Sequence, residues 1–137
     1  MIGVLAVTHG DLGQACIGAV ELIAGEQTNV KALGLHHGDS PDTLKENIRA
    51  ALKELDEGEG VLVFVDFFGG TPANLVLQCM REKPFLCIAG LNMPVLLQAL
   101  TEREGNTIEE LEKTCLQTGK DSFIEMHEVY RKMSEQH

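Results

Sequence analysis

Apolar residues along the chain come in two rhythms that alternate. Ile2 to Val7 is an unbroken apolar run, as expected for a strand buried on both faces. From Leu12 to Ala24 the apolar positions Leu12, Ala15, Cys16, Ala19, Leu22 and Ile23 recur at helical spacing, and Gly25 follows as a stop. Asn29 to Leu35 reads as a second strand. Ser40-Pro41 then marks a helix start whose apolar stripe is Leu44, Ile48, Ala51, Leu52 and Leu55. Gly60 to Val65 is the most strand-like run in the chain, and it leads through Asp66-Phe67-Phe68-Gly69-Gly70 into a helix that Thr71 caps and that ends near Glu82. Phe85 to Ala89 predicts a fourth strand, Val95 to Arg103 a helix, and Thr107 with Glu110 a capping box opening a further helix that stops before Gly119. Ser122 to Met133 fits a helix, although Phe123-Ile124 also suits a short strand.

Strand–helix units repeated four times, followed by helices, predict an α/β fold with a doubly wound, mostly parallel sheet and helices on both faces. Ligands of such sheets bind beyond the carboxyl ends of the strands, at the switch point of the strand order. His9, Asp66 and Asn92 all fall at predicted strand ends. A histidine needs a partner to fix its tautomer, and a carboxylate leaving a neighbouring strand supplies one. Asp66 accepting a hydrogen bond from one ring nitrogen leaves the other nucleophilic. Gly69 and Gly70 offer outward-facing backbone N–H groups at a helix start, with the Thr71 hydroxyl beside them, and together they form a cradle for an anion.

Composition narrows the chemistry. The chain has 137 residues, 44% of them apolar and 23% charged, and is expected to form one domain, residues 1–137. A net charge of −10 disfavours nonspecific nucleic-acid binding and fits either solubility or docking to a basic partner. No apolar run approaches the roughly 20 residues of a membrane helix, and the apolar N-terminus lacks a basic leader, so a cytoplasmic location is expected. Cys16, Cys79, Cys87 and Cys115 have no zinc-ligand spacing and read as reduced core thiols. Adjacent His36 and His37 make a poor metal pair and read as solvated loop residues, while His127 and His137 carry no signal. No Gly-Lys-Ser/Thr follows the glycine pair, which disfavours a nucleotide loop. The first strand ends in Thr8-His9-Gly10 rather than an acidic cluster, which disfavours an aspartyl-phosphate site with Mg²⁺.

Three segments in order, Val7-Thr8-His9-Gly10, Val65 to Asn74 and Gly90-Leu91-Asn92-Met93-Pro94, make the chain resemble the IIA component of the mannose/fructose/sorbose family of the bacterial sugar phosphotransferase system. The resemblance covers nearly the whole chain. It implies a phosphocarrier that takes a phosphoryl group from the phosphorylated histidine-containing phosphocarrier protein onto the tele nitrogen of His9. A IIB component then receives the group and phosphorylates sugar during uptake through the IIC and IID membrane components. Asp66 matches the acid that orients the histidine, Gly69, Gly70 and Thr71 the phosphoryl-binding turn, and Thr8, Gly10 and Asn92 supporting positions. No cofactor or metal is implied.

The resemblance further implies a homodimer that exchanges a C-terminal antiparallel strand, placed here at Ser122 to Glu125. It also implies a location that can be peripheral to the membrane through the transporter. Many relatives continue into a IIB domain, so IIB is expected to act in trans on a chain ending at His137. Two alternatives stand beside the transport relay: a regulatory module that senses phosphorylation at the same histidine, and the phosphoryl-donor subunit of a dihydroxyacetone kinase system.

Overall fold

A computed structural model describes residues 1–136; His137, given no role above, lies outside the described residues. The chain runs β1 (Gly3–His9), α1 (Leu12–Ala24), β2 (Val30–Leu35), α2 (Pro41–Leu55), β3 (Val61–Val65), α3 (Gly70–Glu82), β4 (Leu86–Ala89), α4 (Met93–Glu102), α5 (Ile108–Asp121) and α6 (Met126–Glu135). The four strands form one sheet in the order β2-β1-β3-β4, with every pairing parallel. This is the expected doubly wound α/β architecture.

Period-two alternation inside the fully apolar strands sorts their side chains onto two cores. Ile2, Val4, Leu62, Phe64 and Ile88 face α1, α4 and α5, packing on Ile17, Val20, Leu96, Leu100, Leu111 and Cys115. Leu5, Val7, Val61, Val63 and Val65 face α2 and α3, packing on Leu44, Ile48, Ala51, Leu75 and Val76. Both faces of β1 and β3 are therefore covered, which is why their sequences show no polar alternation.

Arg103, 3% exposed, closes the far rim of the sheet. It follows α4, and its guanidinium donates to the backbone carbonyls of Ile2, Thr28 and Asn29, tying that helix to the amino ends of β1 and β2.

The C-terminal third departs from expectation in two places. Gly119 does not break a helix but lies inside α5, where a Cβ would come within 3.0 Å of Val95 Cγ2. The glycine lets α5 approach α4 closely. Ser122 to Glu125 forms no strand within the chain; it links α5 to α6, and Phe123 and Ile124 point outward with Met126, Val129, Tyr130 and Met133.

Candidate functional site

The order β2-β1-β3-β4 puts its switch point between β1 and β3, and their carboxyl ends carry His9 and Asp66. β1 runs farther than its apolar residues, so His9 is the last residue of the strand and Thr8 lies buried behind it. Asp66 leaves β3 directly beside it. Its Oδ2 accepts the His9 backbone N–H at 2.9 Å and lies 2.8 Å from His9 Nδ1, while Oδ1 accepts the Phe67 N–H at 3.2 Å.

A carboxylate only accepts hydrogen bonds, so the short contact to Nδ1 places the ring proton there and leaves the Nε2 lone pair free. The Asp66 side chain is 9% exposed and the His9 side chain 45%. Burial raises the Asp66 pKa, but the His9 backbone and ring hydrogen bonds outweigh it and hold the carboxyl below its ordinary value. Asp66 is thus ionised at neutral pH.

Gly69 and Gly70 bring α3 to the free nitrogen. Their φ angles are +148° and +78°, backbone that side-chain-bearing residues rarely adopt. A Cβ on Gly70 would lie 3.1 Å from His9 Nε2 and 3.0 Å from Cε1. Gly69 occupies the N-cap position and no side chain caps the helix. The first backbone N–H groups of α3 consequently keep their positive end open beside Nε2. Thr71 is not the cap expected above; it sits within the first turn, ahead of Pro72. Phe67 stacks on the His9 ring, with centroids 5.6 Å apart and planes at 27°.

The remaining sequence-picked residues serve the frame. Thr8 Oγ1 accepts the Gly13 N–H at 3.0 Å and so holds the start of α1. Gly10 donates its N–H to Leu35 O at 2.8 Å, docking the turn after β1 onto β2. Gly34 makes that docking possible, since a Cβ there would overlap the Gly10 carbonyl oxygen. Asn92 caps α4, accepting from Val95 N at 3.0 Å and donating to Ser122 Oγ at 3.3 Å, and its contacts are not with His9.

Two features went unseen in the sequence. Phe67 stands next to the orienting acid, and an aromatic at that place is the available sequence signal. His36 is solvent-exposed, as the loop reading expects, and is also held by Asp11 and Asp39; Asp39 lies three residues along the same loop, while Asp11, 25 residues away in sequence, gives no local signal.

All four cysteines are free. Burial pushes the Cys87 thiol up to about 12 and Cys115 up to about 11, so neither offers a thiolate at neutral pH. A cavity of about 850 Å³ opens among Leu52, Val61, Phe85, Leu86 and Ile108, at the amino ends of β3 and β4, and His9 does not line it. The His9 side chain is instead open to solvent.

Comparison with known proteins identifies the family. Residues 3–116 match the family model EIIA-man, described as "PTS system fructose IIA component". The chain belongs to this family of phosphotransferase-system IIA components. It is 35% identical to the fructose-specific EIIA component of Bacillus subtilis over 124 residues, covering 90% of this chain and 85% of that one. Against the mannose-specific EIIAB component of Escherichia coli K12 it is 33% identical over 122 residues. These make up 88% of this chain but only 38% of that protein.

Among solved structures, the mannose/sorbose-specific IIA subunit of Enterococcus faecalis superposes with a TM-score of 0.80 at 25% identity, covering 90% of this chain and 93% of that one. The EIIA component of Streptococcus agalactiae superposes at 0.84 with 23% identity, covering 93% and 98%. The EIIA-man chain described here thus shares its fold with phosphotransferase IIA proteins. Among the described residues no helix is long and apolar enough to cross a membrane.

Proposed function

We propose that this IIA protein accepts a phosphoryl group on His9 Nε2 from the phosphorylated histidine-containing phosphocarrier protein and passes it to a IIB component. The observation that carries the reading is the pairing of His9 Nδ1 with Asp66 at 2.8 Å while Nε2 faces the uncapped start of α3. In the accepting step the N–P bond on the donor imidazole breaks and a new N–P bond forms at Nε2. The Nδ1 proton stays in place, so the His9 ring becomes cationic and Asp66 stabilises it. Backbone N–H groups of Gly70 and Thr71 stabilise the phosphoryl oxygens during transfer. The second transfer reverses these steps with the IIB nucleophile as acceptor.

The relay serves sugar uptake through IIC and IID, with the protein working on the cytoplasmic side of the membrane. It acts as a homodimer in which Ser122 to Glu125 of one copy pairs with the open side of β4 in the other. Support comes from β4 bonding only to β3 and from the exposed Phe123 and Ile124.

Incubation with the phosphorylated carrier tests the relay. The expected product is an acid-labile, base-stable phosphate on His9, absent in His9→Ala. No labelling of the wild type, or equal labelling of the variant, rules the reading out.

A further inference from the structure

One strand away from His9, at the exit of β2, two carboxylates meet the ring of His36. Its Nε2 lies 2.7 Å from Asp11 Oδ1 and its Nδ1 3.4 Å from Asp39 Oδ2. Two carboxylates beside one ring favour its doubly protonated form, the imidazolium. Asp39 Oδ2 also accepts the His36 backbone N–H at 2.8 Å, so the loop after β2 holds the ring on its own side. The charged groups facing the ring are Asp11, from the turn after β1, and Asp39, from its own loop; the first turn of α1 contributes no acid.

Asp11 occupies the N-cap position of α1 yet makes no cap hydrogen bond. An aspartate there ordinarily turns its carboxylate onto the N–H groups of the first turn. Here the carboxylate is drawn off to His36. The segment His9-Gly10-Asp11 is therefore tied to both neighbouring strands. Asp66 holds its β3 side. On the β2 side the Gly10 N–H bonds Leu35 O, and His36 grips Asp11.

We propose that His36, as its imidazolium, is a positioning residue for phosphoryl transfer at His9, clamping the turn after β1 against β2 so that the His9 ring keeps its approach to α3. The inference rests on the reading of His9 as phosphoryl acceptor. Loss of the His36 proton removes the ion-pair attraction and frees Asp11 to turn toward the first-turn N–H groups of α1 that Thr8 does not hold, where the helix dipole favours it. On its β2 side the turn then keeps only the Gly10 N–H bond to Leu35 O.

The sign follows from the raised proton affinity of His36, caused first by its hydrogen bond to Asp11 and then by the charges of Asp11 and Asp39. The clamp is complete below the ordinary histidine value and is lost as pH rises through the higher folded value.

Initial rates of phosphoryl uptake from the phosphorylated carrier, taken from about pH 6 to about pH 9, test this in wild type, His36→Gln, His36→Lys and Asp11→Asn. Rates are read as ratios at each pH, in which the pH response of the donor cancels. His36→Gln and Asp11→Asn should be slower than wild type by about two- to fivefold at the acid end, as for an exposed pair, and should converge with it at the alkaline end. His36→Lys restores a cation opposite Asp11 that does not titrate in this range, and should overtake wild type as pH rises. An NMR titration of the His36 ring should move toward the ordinary value in Asp11→Asn. Ratios that stay flat at one, with His9 labelled normally in wild type, overturn this inference alone. Absence of phosphate on wild-type His9 overturns the acceptor reading and this inference with it.

Discussion

Replacing Asp66 by Asn removes one charge and alters almost no volume, so it isolates what the carboxylate does for His9. Oδ2 takes two donors, the His9 backbone N–H and Nδ1, and Oδ1 takes the Phe67 N–H. An asparagine presents only one oxygen. With that oxygen toward His9, its NH₂ group meets the Phe67 N–H, donor against donor. With the amide reversed, the NH₂ donates to Nδ1 and drives the ring proton to Nε2, where it blocks attack. Either arrangement also gives up a hydrogen bond to a charged group, worth about 1.5–3 kcal/mol at a site this sheltered. At 1.36 kcal/mol per decade, phosphoryl uptake should fall by about 10- to 200-fold. Rapid-quench labelling from the phosphorylated carrier measures this directly, with far-UV circular dichroism confirming the fold. An Asp66→Asn protein that labels His9 within about threefold of the wild-type rate refutes the orienting role.

Three further outcomes follow from the geometry. Gly70→Ala places a Cβ 3.1 Å from Nε2 on backbone with φ +78°, so uptake should fall by at least about tenfold. Calorimetry on that variant should show a stability loss of about 1–2 kcal/mol, and unchanged uptake shows that Nε2 is not the acceptor. Asp66 stabilises the fold above its unfolded value near about 3.9, and this contribution is lost as pH falls through its lower folded value. Urea midpoints should therefore decline more steeply below about pH 4 in wild type than in Asp66→Asn, and parallel curves refute the depressed value. Arg103→Ala strands the carbonyls of Ile2, Thr28 and Asn29 and should cost about 3–5 kcal/mol in denaturant unfolding, whereas a change under about 1 kcal/mol removes the clamp from the account.

Most of the frame was legible because the strands are apolar on both faces and the helices keep a single stripe. Val61 to Val65 and Leu44 to Leu55 admit little else. The pairing of His9 with Asp66 was legible because strand exits converge at the switch point, so two residues far apart in sequence share one rim. Illegible were contacts that depend on register. Gly119 looks like a stop from its type alone and becomes a packing residue only once Val95 is opposite it. Thr71 looks like a cap until the positive φ angles of Gly69 and Gly70 start the helix earlier. Asn92 was chosen for lying at a strand end, and its side chain serves α4 instead. His36 looked idle because its partner Asp11 belongs to another strand's exit.

The overlap that any side chain at Gly34 would make with the Gly10 carbonyl oxygen reaches beyond local packing. Gly34 lies on an edge strand, takes no part in chemistry and touches no phosphoryl oxygen in the proposed relay. Even so, a substitution there lifts the turn that follows His9. A survey of tolerated variants would score this position as sensitive as the histidine itself, and natural drift at Gly34 is closed unless the neighbouring loop is rebuilt with it. Which residues evolution can change thus depends on whose backbone they let through, as well as on what they do.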